Sequence, residues 1–376
     1  MDKSVFSAAG TPGVQLAVKP DWYVLNDGAA ADVPALLEGK RLAAPEKVKV
    51  FIDHETPCGS EATAAKQKAL IRFAMDNGCE LFNGYGISYQ LMLDRYVQSG
   101  QTIAHCGDFG SIYGYAGALG LRLSPAEMAE ALTCASIPYS VPDHIALKLT
   151  GALKPPASGK DAALTLLAAA PDFSGKLLFL TGSGLRDMAP SDRASFFQLL
   201  SAGGCVAALA VNEAREAAMI LDLGAVEPVV SETRTLRPAV PARKLGHLRP
   251  TSIFVGGCSS GRIEDIRCAA RLVKGRRVCQ DVRLLIAFAT TEVYVQAANE
   301  GLIAELLDAG AIVMNQGCSA CYARSQGLAD GKDLVLSAGS RSCPNCSGAG
   351  DVPTYLCSAS TAIASALAGH VCPADS

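Results

Sequence analysis

Apolar residues in this chain fall in short runs closed by turn residues, and the stretches between them repeat at helical spacing. Val48-Lys-Val-Phe-Ile52 predicts a strand that ends at Asp53-His54. Thr63 to Asn77 predicts a helix with Leu70, Phe73 and Ala74 on one face and Gly78 as its C-cap. A second helix is expected from about Gln90 to Val97, after Gly84-Tyr-Gly-Ile-Ser-Tyr89. Thr102 to Cys106 predicts a strand closed by Gly107-Asp108-Phe109-Gly110. A helix over 125–135 has Ser124 as cap, Pro125 at its first position and Glu127 behind it. Ile145–Leu149, Leu177–Leu180 and Val206–Val211 predict strands, with helices from Lys160-Asp161 to Ala168 and over 191–202. Residues 1–45 are weakly patterned.

Residues 231–250 break the pattern. Three prolines and five basic residues there predict a linker. Beyond it, strands at 252–255, 283–289, 311–314, 333–337 and 354–357 alternate with helices at 262–273, 291–308 and 359–368. Strand–helix alternation of this kind predicts a parallel sheet covered on both faces. The division expected is 1–230, a linker over 231–250, and an α/β unit over 251–376.

The alternation gives three cysteines a position. Cys258 follows the run Thr251–Val255 within Gly256-Gly-Cys-Ser-Ser-Gly261, and Cys318-Ser-Ala-Cys321 follows the run Ala311–Met314. All three lie just past the C-terminal ends of strands, the edge where open α/β sheets bind ligands. Three thiolates converging there suit an iron–sulfur cluster with one iron lacking a protein ligand. A zinc site completed by Cys343 or Cys346, or plain buried thiols, stays open at this stage.

Composition narrows the classes. The chain has 376 residues, enough for two or three domains, with 49% hydrophobic and 18% charged residues. A net charge of −3 gives no reason to expect nucleic acid or an anionic membrane as partner. No apolar run approaches the roughly 18 residues needed to span a bilayer. The N-terminus lacks a secretory pattern, so the cytoplasm is expected. Fourteen cysteines in that compartment point to burial, metal binding or catalysis before disulfides.

Several segments resemble the aconitase superfamily, in particular its isopropylmalate isomerase large-subunit branch. Gly257-Cys258-Ser-Ser-Gly261-Arg-Ile-Glu-Asp-Ile is similar to the family's first cluster-cysteine motif, and Gln316-Gly317-Cys318-Ser-Ala-Cys321 to its second. Asp53-His54 resembles its Asp-His pair, Cys106-Gly107-Asp108 the start of its Cys-Gly-Asp-Ser-His-Thr motif, and Gly339-Ser340-Arg341-Ser342 its Asn-Arg-Asn segment. The closing stretch Ser358–Gly369 is similar to its C-terminal helix. The resemblance implies an aconitase-like fold of three α/β/α subdomains with largely parallel sheets and no swivel domain. It implies a [4Fe–4S] cluster on Cys258, Cys318 and Cys321. Asp53, His54, Asp108 and Tyr89 would be catalytic, with Ser340 and Arg341 binding substrate. It also implies a small subunit as partner, because the family's mobile fourth domain supplies a catalytic serine and this chain stops after the third.

Departures from the family are local. Phe109-Gly110 stand where Ser-His is expected, and Tyr89 stands where a His is expected. Cys346 takes the place of a second arginine, and an Asn and a Glu of a middle motif map onto Gln198 and Ala202. The implied function is a hydro-lyase or isomerase acting on a hydroxy acid other than citrate. Two rivals remain: an iron–sulfur protein handling sulfur or electrons through Cys343-Pro-Asn-Cys346, and a non-catalytic regulatory subunit. His105 and His144 are expected to be structural.

Overall fold

The structure, a computed structural model, describes residues 11–170, 172–212, 217–322, 325–340 and 352–375. Among the described residues three larger sheets carry the chain, beside a two-stranded antiparallel pairing of Gln15–Val18 with Ile137–Ser140. The first is wholly parallel, in the order Glu80–Asn83, Val48–Ile52, Trp22–Asn26, Thr102–His105, Leu119–Arg122. The second is also parallel, in the order Ala207–Ala210, Leu177–Thr181, His144–Thr150, Met219–Asp222. The third runs Val240–Pro241, Val229–Glu232, Thr354–Leu356, Val335–Ser337, Ser252–Val255, Arg283–Ile286, Ile312–Val313. Its last five strands are parallel, and the two at the other edge are antiparallel. This is the expected α/β class, with parallel sheets whose central strands are buried on both faces.

Local chemistry sets the helix ends, at Gly78 and Ser124 as expected and at Ser60 rather than Thr63. Ser60 Oγ accepts from Thr63 N at 3.1 Å to start Glu61–Asn77, and Gly78, at φ +68°, ends it. Ser124 and Glu127 form a reciprocal capping box on Pro125–Cys134. The helix expected over 291–308 is broken in two, Thr291–Asn299 and Leu302–Asp308, by Gly301 at φ +74°. That left-handed residue costs glycine little and stops the first helix.

Residues 231–250 do not form a free linker. Val229–Glu232 and Val240–Pro241 are strands of the third sheet, and Leu236 and Ala242 are buried. Leu236 and Val229 pack with Leu356 in the core that underlies the second sheet. Proline is tolerated here because Val240–Pro241 is an edge strand, where a missing N–H breaks no central ladder. Trp22–Asn26, in the stretch read as weakly patterned, is the middle strand of the first sheet.

Loops past the C-terminal strand ends of the first and third sheets meet. Ile87 N donates to Ala289 O at 2.9 Å, Gln316 Nε2 to Gly84 O at 2.6 Å, and Cys318 N to Asp53 O at 2.9 Å. An apolar cluster crosses this seam, joining Val24, Phe51, Tyr89 and Ile112 to Cys258 and Cys318. Strand ends of both sheets therefore open onto one place.

Candidate functional site

Asp27 and Asp53 follow the ends of two neighbouring strands of the first sheet. Their carboxylates close on one imidazole. Asp53 Oδ1 lies 2.5 Å from His54 Nδ1, and Asp27 Oδ1 lies 3.4 Å from the same nitrogen. Asp27 Oδ1 also accepts from the backbone N–H of Asp53 at 3.0 Å and of His54 at 2.9 Å, while Oδ2 accepts from Gln67 Nε2 at 2.8 Å. Asp53 Oδ2 accepts from Ser88 N at 2.6 Å. Burial alone would raise the Asp27 carboxyl, but the bond to His54, its charge and the backbone donors hold it well below the usual carboxylate range. Burial likewise works against a charged His54. The Asp53 charge and the bonds to Asp27 and Asp53 outweigh it and lift the ring to about 10. Both carboxylates thus favour the protonated ring.

The ring's other nitrogen faces Gly28, where a Cβ would stand 2.5 Å from Nε2. Tyr322 meets the ring edge-on, centroids 4.8 Å apart. Donor atoms of Asp53, His54 and Cys318 lie within 4.8 Å of one another, so the His54 ring borders the cysteine site directly.

Cys258, Cys318 and Cys321 are all buried. Each comes from a turn that glycine makes possible. Gly257, at φ +79°, precedes Cys258, and Gly317, at φ +122°, precedes Cys318. A Cβ on Gly257 would come within 3.1 Å of Cys321 Sγ, and one on Gly339 within 2.9 Å. The Cys321 sulfur is thus seated against two bare backbone segments, one of them in the Cys258 loop. Gln90, fully buried, donates to the carbonyls of Cys258 and Ser260 at 3.3 Å each and fixes that loop. Three soft donors on backbone kept clear of side chains fit an iron–sulfur cluster.

The remaining expected residues separate. Tyr89 is buried beside Cys258, and burial holds its phenol well above the usual range, hence neutral. Its Oη accepts from Phe109 N at 3.5 Å, and Gly107 packs flat against it. Ser340 is fully buried, with an Oγ that has no hydrogen-bond partner among the described residues. Asp108 is not brought in. Its carboxylate turns outward to Arg122 at 2.6 Å, and both side chains are more than half exposed. Without a His at 110 nothing draws it inward. Arg341, Cys343 and Cys346 lie outside the described residues. Asp27, Gln67 and Gln90 hydrogen-bond to the backbone or side chains of this site, and sequence reading passed over them. Asn26-Asp27-Gly28 was legible as a turn, and its adjacency to Asp53 needed the sheet order.

Residues 226–369 match the sequence model of the aconitase family (aconitate hydratase). A large subunit 2 of 3-isopropylmalate dehydratase from Archaeoglobus fulgidus is 27% identical, over 93% of this chain and 92% of that protein. The homoaconitase large subunit of Thermus thermophilus is 28% identical, over 87% of this chain and 84% of that protein. Among solved structures, Thermococcus kodakaraensis aconitase X in its holo form superposes with a TM-score of 0.57 at 12% identity, covering 90% of this chain and 87% of that one. At that identity the likeness concerns the fold.

Proposed function

We propose that this chain belongs to the aconitase superfamily and is the large subunit of an iron–sulfur hydro-lyase acting on a small hydroxy acid. The observation that carries the reading is that Cys318 lies within 4.8 Å of the Asp53–His54 pair and shares an apolar cluster with Cys258, while the Cys321 sulfur packs against the Gly257 backbone. The three cysteines would hold the cluster, which when bound supplies a Lewis-acidic iron.

The chain's own residues supply the rest. His54, its protonated form favoured by Asp27 and Asp53, is the candidate general acid for a departing hydroxyl. Gly28 leaves Nε2 clear for that transfer. Asp53 orients the ring from the opposite nitrogen. Tyr89, neutral and buried, can donate a hydrogen bond but gives up a proton less readily than an imidazole. Ser340 Oγ, without a hydrogen-bond partner among the described residues, offers a polar contact for substrate. Arg341 is assigned to a substrate carboxylate from its motif, since its planar fork suits that group. Asp108, ion-paired with Arg122 at the surface, drops out of the set.

A small-subunit partner belongs to the reading because the relatives named above are themselves large subunits. No helix among the described residues is long and apolar enough to cross a membrane. The test is turnover of anaerobically reconstituted protein, with its small subunit, on a panel of hydroxy acids followed by ultraviolet absorbance of the new double bond. Dehydration of at least one member is expected. A cluster-bearing protein that converts none with its partner present would remove the hydro-lyase reading.

A further inference from the structure

Lys160 opens the helix Gly159–Ala169 beside the second sheet, yet its side chain runs inward and is only 3% exposed. The ammonium donates to Ser259 Oγ at 3.1 Å and to the carbonyl oxygens of Ala338 and Gly339. Ser259 Oγ donates in turn to Ala338 O at 3.2 Å, and its own carbonyl accepts from Ser195 Oγ at 2.6 Å. This one side chain thereby ties the residue after Cys258 to the turn before Ser340. Gly339, whose carbonyl it holds, is also the glycine that backs the Cys321 sulfur.

All three acceptors of this ammonium are neutral. Carbonyl and hydroxyl oxygens can be satisfied by neutral donors, so the bonds alone do not call for a charge. A buried ammonium without a counter-ion is strongly unfavourable, and burial accordingly depresses Lys160 to about 8. The charges that would favour the ammonium are the thiolate forms of Cys357, Cys321 and Cys258, ahead of the carboxylate of Asp265. Two of those three are the expected cluster ligands.

We propose that Lys160 is a positioning residue and the counter-charge of the cluster site: it clamps the Cys258 loop to the 338–340 turn and balances the cysteinates. The proposal rests on the cluster reading above and adds a residue to it. A neutral side chain at 160 loosens both loops and leaves the cluster's negative charge unbalanced. Without a cluster the same replacement removes an uncompensated buried charge.

The experiment compares wild type, Lys160→Met and Lys160→Arg, each anaerobically reconstituted and each also as apo-protein. Loss of iron to a chelator is expected to be at least about 10-fold faster in Lys160→Met, with most of the loss restored in Lys160→Arg. The reduction potential of Lys160→Met is expected to move to more negative values, because net charge at a cluster sets its potential. Apo Lys160→Met is expected to melt at or above the apo wild type. Wild-type iron retention and potential in Lys160→Met would overturn the proposal. So would an apo Lys160→Met that fails to fold or melts well below wild type, since that is a clamp indifferent to the cluster. A wild type that takes up neither iron nor sulfide overturns the cluster reading itself, and that failure is visible before any variant is compared.

Discussion

The ring of His105 occupies the space that any side chain at residue 110 would need. A Cβ on Gly110 would overlap His105 Nε2. The ring is held there between Tyr89 and Tyr113, each with its centroid 5.9 Å away. The glycine at 110 is thus part of a repacked site wall, in which a histidine from the preceding strand fills what residue 110 vacates. Gly110→Ala is expected to destabilise the fold by about 1–3 kcal/mol through overpacking. Adding His105→Ala should recover part of that loss, because the two positions compete for one volume. Urea denaturation of the two single variants and the double variant checks it, and simple additivity would contradict it.

The same ring predicts a pH dependence. Burial pushes His105 down from 6.5 to about 4. Below pH 6.5 the unfolded chain binds a proton here that the folded chain refuses until about pH 4. The stability linked to this ring is fully present above pH 6.5 and is lost as pH falls toward 4, by roughly 3 kcal/mol at most. Asp161 and Asp265, raised by burial to about 6, act in the opposite sense over the same range. The readout is therefore the difference between wild type and His105→Leu in urea stability at several pH values. The gap should change in favour of the variant on acidification, and parallel profiles would contradict the assignment.

Asp27 binds donors from three directions, and its loss should be felt in both fold and site. Asp27→Ala is expected to cost about 3 kcal/mol or more, from several charge-assisted bonds at roughly 1.5–3 kcal/mol each. Asp27→Asn should lose less stability. In either variant the His54 pKa, followed by NMR of the imidazole, should fall from about 10. An unchanged value would show that Asp53 alone holds the proton. Gly28→Ala makes the complementary test: it crowds Nε2 while leaving both carboxylates in place. Turnover should drop about 10²–10⁴-fold if the proton passes through that atom.

Much of this arrangement was legible in the chain. Glycine-flanked cysteines past apolar runs pointed to Cys258, Cys318 and Cys321, and Ser124 and Gly78 sit at the helix ends that the residue pattern predicts. What the chain concealed was adjacency. Asp27 and Asp53 are 26 positions apart and meet because Trp22–Asn26 pairs in register with Val48–Ile52. Lys160 reads as a helix start, and its inward course shows only in its bonds to Ser259, Ala338 and Gly339. The outward turn of Asp108 depends on Arg122, which lies on a strand hidden in a Gly/Ala-rich stretch. Residues 231–250 misled because proline and charge mark linkers and edge strands alike.

Citrate and isopropylmalate should be poor substrates. Phe109-Gly110 and Tyr89 remove two histidines that the family uses, and a positioned acid–base group is typically worth about 10²–10⁴ in rate. Cys346 replaces an arginine, a loss of roughly 1.5–3 kcal/mol in carboxylate binding, or about one to two decades in affinity. Direct assays of reconstituted protein with its small subunit check this. Turnover near one per second on either acid would show that other residues carry those roles.

The most direct test of the whole account is the metal content and visible spectrum of anaerobically purified protein, beside Cys258→Ser, Cys318→Ser and Cys321→Ser. The account predicts a brown wild type with iron and acid-labile sulfide and absorbance near 400 nm, and loss of most of all three in each variant. A colourless wild type carrying stoichiometric zinc, or variants that keep the wild-type spectrum, would contradict it.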